Sequence, residues 1–225
     1  MDTPEISRII PAIIPESLTH LRTMLDRVPF APAVQVDVID GIFAPQVSWP
    51  YGEGERAGDP MDVKADFSSF EIEVDLMVEK PEAHLDRWVS AGAQRIVVHI
   101  ESTEYMDDIV THADVHGYTL GIAFDDDTAL DVVVPYLSRV GFVQCMGIDV
   151  VGAQGEPFEP RVLENIRALH TQFPNLLIQV DGSVNMETIV LLRDAGASRF
   201  IAGSAIMKAE HPQEAYEQLT HMMNT

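Results

Sequence analysis

Residues 33–41, A-V-Q-V-D-V-I-D-G, decide the fold. Val34, Val36 and Val38 alternate with Gln35, Asp37 and Ile39, and a period of two is that of a strand rather than a helix. Asp40-Gly41 closes the run as a turn. Two acids stand at its carboxyl end, and one of them, Asp37, lies on the face opposite the valines. A polar strand end exposed for solubility explains this, and so does a buried acid with a chemical task. The rest of the chain has to decide.

Working outward, strand-like runs recur at 8–14, 70–78, 95–100, 119–124, 142–148, 176–180 and 199–202. Helical patterns separate most of them. Ser17 or Thr19 is placed to cap a helix carrying Leu18, Leu21, Leu25 and Val28. Pro81 opens a helix through Leu85, Trp88 and Val89 that Gly92 closes. Further helices are expected over 105–116, 129–140 with a kink at Pro135, 160–173, 186–195 and 212–222. Residues 51–69 show no helical stripe and read as a long loop with at most a short helix. Strands alternating with crossovers make a parallel sheet. Eight such units in 225 residues fit a single-domain closed (β/α)8 TIM barrel spanning 1–225. A doubly wound open sheet is the alternative, but it usually carries fewer units at this length. No G-x-G-x-x-G follows the first strand, which argues against a dinucleotide domain.

The chain is 46% hydrophobic, enough for a sizeable core. Cys145 is the only cysteine, so an intrachain disulfide and a cysteine-based zinc site are excluded. The opening M-D-T-P-E-I-S has no basic region leading into an apolar core, and no apolar run reaches membrane-spanning length. A cytoplasmic location is the expectation. The net charge of −22 repels nucleic acid and anionic membranes, so neither is an expected partner. The same field opposes a phosphorylated substrate unless local donors overcome it.

In such a barrel the active site lies at the carboxyl ends of the strands. Those ends supply Asp37 with Gln35 two residues before it, Asp75, His99 and Glu101, Met146 and Asp149, and Asp181. Unpaired buried charge is costly, so several acids converging on one mouth point to function. For any one of them alone, a solvated loop acid or a cap is the simpler reading. Two turns suit an anion: Gly182-Ser183 after the seventh strand and Gly203-Ser204 after the eighth, where these barrels commonly bind phosphate.

The ordered motifs V-D-V-I-D-G, V-D-L-M-V, V-V-H-I-E, V-D-G-S-V-N and A-G-S-A-I resemble the strand ends of the ribulose-phosphate 3-epimerase family. The resemblance runs from P-A-I-I to the last helix, and P-E-A-H-L-D-R-W-V-S-A-G-A and F-E-P-R-V-L-E-N-I-R extend it through connecting helices. It implies a barrel of the ribulose-phosphate-binding type. It also implies interconversion of D-ribulose 5-phosphate and D-xylulose 5-phosphate, in which one Asp removes the C3 proton, an enediolate forms, and a second Asp reprotonates the opposite face. Asp37 and Asp181 match those acids, and Met77 and Met146 match methionines lining the family's site. A small phosphorylated sugar is the expected partner and a homo-oligomer the expected assembly.

Three departures stand out. The family's two metal-binding histidines, in H-V-D-V-M-D-G and D-V-H-L-M, are Gln35 and Asp75 here. The resulting set, Gln35, Asp37, Asp75 and Asp181, is all oxygen, which favours magnesium or manganese over zinc or iron. If no metal binds, neighbouring carboxylates repel and at least one pKa rises. The family's P-G-F-G-G-Q loop is V-V-G-A-Q-G-E, which keeps Gly152 and Gly155 as phosphate-loop candidates, and the serine of its P-S-I-L is Ala12. A non-catalytic relative, or a phosphosugar lyase or aldolase working through an enediolate, stays open beside the epimerase.

Overall fold

Eight strands close into one all-parallel barrel in sequence order: β1 (Ile9–Ile13), β2 (Ala33–Ile39), β3 (Glu71–Met77), β4 (Arg95–His99), β5 (Thr119–Phe124), β6 (Phe142–Met146), β7 (Ile178–Asp181) and β8 (Arg199–Ala202). The (β/α)8 expectation is met strand for strand. This computed structural model describes residues 8–225. The stretch M-D-T-P-E-I-S, on which the expectation of no secretory signal rests, lies outside them. No helix among the described residues is long and apolar enough to cross a membrane.

The strand alternation sorts two kinds of interior. Val34, Val36 and Val38 of β2 face outward and are fully buried, as are Ile72, Val74 and Leu76 of β3, beneath the surrounding helices. Burial of each such aliphatic side chain is worth about 1.5–3 kcal/mol. The inward positions carry the polar residues, and register aligns them: Gln35 with Glu73, Asp37 with Asp75, Gln144 with Gln179, and Met146 with Asp181.

The helices are α1 (Leu18–Leu25), α2 (Leu85–Ala91), α3 (Met106–His116), α4 (Leu130–Val133), α5 (Val162–Gln172), α6 (Ile189–Ala195), α7 (Ser204–Met207) and α8 (Pro212–Asn224). Ser17 caps α1, its Oγ accepting the His20 N–H at 3.0 Å. Gly92 and Gly117 end α2 and α3 with φ of 108° and 75°, where a side chain would be strained. The helix expected over 129–140 is only α4 followed by a 3-10 turn over Val134–Tyr136, because Pro135 has no N–H to continue it. The 51–69 connection contains three short 3-10 turns and no α-helix. Aromatic anchors hold this region instead: Phe67 stacks on Trp88, Trp49 meets Trp88 edge-on, and Trp88 donates its indole N–H to the Tyr51 hydroxyl at 2.9 Å. The one-turn helix α7, directly after β8, has no counterpart in the sequence reading.

Candidate active site

Asp37, Asp75 and Asp181 come from three different strands and meet at the carboxyl end of the barrel, with carboxylate oxygens within 4.8 Å of one another. Asp37 and Asp75 are buried, and Asp181 is partly exposed. A single side chain joins two of them. The amide nitrogen of Gln35 donates to Asp37 Oδ1 and to Asp181 Oδ2, both at 2.8 Å. Its oxygen faces the other way, 3.3 Å from Gln179 Nε2. An amide nitrogen offers no lone pair to a cation. In this orientation Gln35 clamps the two acids through its nitrogen and turns its oxygen away from them. Asp75 receives Gln144 Nε2 on Oδ2 at 2.7 Å, and His99 Nε2 lies 3.2 Å from its Oδ1.

A second polar layer supports the first from below. Gln179 Nε2 is 2.6 Å from both Glu73 Oε1 and Gln144 Oε1. Arg199, fully buried, pairs with Glu73, donates to Gln179 Oε1 and lies over the Phe142 ring, 5.5 Å from its centroid. Buried polar groups of this kind are tolerable only when bonded to each other.

The acids are far from ordinary. Burial raises the Asp37 pKa well above the usual carboxylate range, and the neighbouring Asp181 and Asp75 charges raise it further. Asp181 is pushed up to about 7 by burial and by Asp75, against the Gln35 hydrogen bond, which lowers it. Near neutral pH Asp181 holds a proton as readily as it releases one. His99 feels a burial effect favouring the neutral ring, but the Asp75 charge and hydrogen bond, with Glu101 and Asp125, outweigh it and raise its pKa.

Above the acids opens a cavity of about 160 Å³. Asp37, Asp181, Met77 and Met146 line its floor, and Gly152, Gly155, Gly182, Ser183, Gly203 and Ser204 line its rim. Gln35 and Asp75 do not line it. Gly182 and Ser183 both adopt left-handed backbone, φ 101° and 52°. Serine is unusual there, and its hydroxyl is committed to the Glu156 carbonyl, which fastens the β6–α5 loop to the turn. Gly203 begins α7, whose first N–H groups have no intrahelical acceptor. Asp149 is exposed and clusters instead with Asp126 and Glu159 around Arg161. Glu101 is exposed just beyond β4.

Sequence reasoning missed Glu73, Gln144, Gln179 and Arg199. The signal was available: each stands two residues before a mouth residue on the same inward face, Asp75, Met146, Asp181 and the cavity-lining Ile201 respectively.

Three carboxylates in mutual reach, under-compensated in charge, fit a hard divalent cation by the chemistry of the donor set.

The model of the ribulose-phosphate 3 epimerase family matches residues 8–207. A ribulose-phosphate 3-epimerase of Schizosaccharomyces pombe is 30% identical over 83% of this chain and 79% of its own. One from Candida glabrata is 28% identical over 92% and 88%. Among solved structures, 3-hexulose-6-phosphate synthase from Salmonella typhimurium superposes with a TM-score of 0.74 at 15% identity, covering 96% of this chain and 98% of that one. The 3-keto-L-gulonate-6-phosphate decarboxylase of Vibrio cholerae gives 0.71 at 18%, covering 96% and 97%. At such identities these two establish the barrel and nothing about the reaction. The sequence matches go further, and the chain belongs to the ribulose-phosphate 3-epimerase family.

Proposed function

We propose that the protein interconverts D-ribulose 5-phosphate and D-xylulose 5-phosphate by proton transfer between Asp37 and Asp181. The observation that carries this reading is the pair itself: two acids, both with raised pKa, bridged by one amide and facing one small cavity. One, as carboxylate, takes the proton from C3, next to the C2 carbonyl, leaving an enediolate. The other, protonated, returns a proton to the opposite face, and the centre inverts. The protonation states of the two acids are then exchanged, which readies the site for the reverse reaction. A pKa near the working pH suits both roles. Gln35 holds the acids in register without changing its own protonation. Met77 and Met146 supply an apolar floor that excludes water.

The phosphate is assigned to the rim, against backbone N–H groups around Gly182-Ser183 and Gly203-Ser204, with Gly152 and Gly155 covering it. These turns contain no lysine or arginine, so backbone dipoles carry the attraction. Asp37, Asp75 and Asp181 are the residues that would hold a divalent cation, with magnesium or manganese preferred. When bound, such a cation supplies electrostatic neutralisation of charge on the substrate oxygens.

The test is turnover of D-ribulose 5-phosphate in deuterated water. Xylulose 5-phosphate carrying deuterium at C3 is expected, lost with chelator and restored by magnesium or manganese. No exchange at C3 under any metal would overturn the reading.

A further inference from the structure

A second cluster of ligating groups stands beside the acids and plays no part in the proton transfer. His99 ends β4, Glu101 follows two residues later, and Asp125 is the first residue after β5, the strand that pairs with β4. One ring nitrogen of His99 and one carboxylate oxygen from each acid lie within 4.8 Å of one another. The His99 ring is fully buried, packed 5.1 Å from the Phe43 ring, with Nε2 turned to Asp75. That leaves Nδ1, which is buried and has no hydrogen-bond partner; Asp125 Oδ1 is in the same condition. Glu101 is oriented by the Asp125 N–H at 3.0 Å and the Thr128 hydroxyl at 2.5 Å, both on Oε1. Among the described residues no lysine or arginine forms an ion pair with Glu101 or Asp125.

Buried nitrogens and oxygens rarely go without partners. Here an imidazole nitrogen and a carboxylate oxygen do so on two side chains of one cluster that carries excess negative charge. The other side of the ring completes a familiar order. A metal-bound histidine usually presents its second nitrogen to a carboxylate, which fixes the tautomer, and Asp75 stands in that position.

We propose that His99 Nδ1, Glu101 and Asp125 form a divalent-cation site, distinct from the three-carboxylate set, that takes a borderline ion of the zinc type. Nitrogen with two carboxylates suits zinc better than magnesium, whereas the all-oxygen set has the opposite preference. The Asp75–His99 hydrogen bond lies between the two sites.

The test is zinc binding by the full chain, read by equilibrium dialysis with metal quantification and by the visible spectrum of cobalt as a substitute. All measurements use a His116→Ala background, because His112 and His116 stack on the surface beside Asp86 and would themselves take up zinc. The parent is expected to bind one zinc that Asp181→Asn leaves in place. Glu101→Gln and Asp125→Asn, each close to constant volume, should each weaken it at least 10-fold with thermal unfolding still cooperative. Zinc binding unchanged in both variants, zinc lost with Asp181→Asn instead, or no zinc bound by the parent would overturn the proposal.

Discussion

Asp37 and Asp181 are chemically equivalent residues whose surroundings make them useful. Both are pushed upward, mainly by burial, with the Asp181 and Asp75 charges adding at Asp37 and the Asp75 charge adding at Asp181. Asn at either position keeps shape and removes the proton. Asp37→Asn and Asp181→Asn should each lower kcat by about 10²–10⁴-fold, the usual worth of a positioned acid or base. KM for D-ribulose 5-phosphate should change little, since the phosphate turns are untouched. Equal loss in KM alone would assign the pair a binding role. Asp75 differs: it does not line the cavity, and it has one oxygen on His99 and one on Gln144. Asp75→Asn should reduce affinity for magnesium or manganese, measured by calorimetry, while the urea unfolding midpoint stays close to the parent's. A lost midpoint with retained metal affinity would make Asp75 a structural residue.

At the scale of elements, β6, β7 and β8 do two things at once. Their mouths make the site and their middles hold it up. Arg199 and Glu73 form a buried ion pair inside the barrel. Arg199→Met leaves the Glu73 charge without its partner and should cost about 3–5 kcal/mol in urea unfolding. Adding Glu73→Gln should recover a substantial part, because the orphaned charge is then gone. Gly147, just past β6, marks another dependence. Its N–H donates to the Asp181 carbonyl at 2.7 Å, and a Cβ placed on it would sit 2.4 Å from the Gly182 carbonyl oxygen. Gly147→Ala must push the Gly182-Ser183 turn aside. KM for the phosphorylated substrate should rise about 10-fold or more, while affinity for inorganic magnesium is retained. The strands were legible because alternation within 33–41 and its counterparts is a local property. The 51–69 connection was legible as a loop, but its aromatic anchoring was not, because Trp49, Phe67 and Trp88 meet from three different segments and no single window contains them. The inner polar layer was misjudged for a similar reason. Gln144 or Gln179 alone is an ordinary polar residue in a strand, and only closure of the barrel makes them one network. The direction of the Gln35 amide follows from that network too, since Gln179 fixes which end faces the acids.

Across the whole molecule, most of the chain's 36 acids lie at or near the surface, but three, Asp37, Glu73 and Asp75, are buried in the barrel. An acid whose pKa is raised on folding binds its proton more tightly in the native state than in the unfolded chain. Its contribution to stability is complete below the unfolded value near 4 and is lost as pH rises through the folded value. For Asp181 that window runs from its ordinary value of 3.8 up to about 7, and Asp37 acts in the same sense. His99, whose pKa is also raised, likewise loses stabilisation with rising pH. Between pH 5 and pH 8 ordinary surface carboxylates are already ionised in both states and contribute no slope. In chelator, Asp181 alone should therefore lower stability by about 3 kcal/mol from pH 5 to pH 8, at 1.36 kcal/mol per pKa unit, and Asp37 and His99 should add to the fall. Asp181→Asn should flatten much of that slope and be more stable than the parent at pH 8. Urea titrations of both proteins at four pH values make the comparison. Saturating magnesium or manganese should also raise stability most at pH 8, where the acids are ionised and the cation has most charge to neutralise. A parent whose stability is level or climbs over this range would mean the three acids are compensated within the fold, and that burial and mutual repulsion do not raise the pKa values of Asp37 and Asp181.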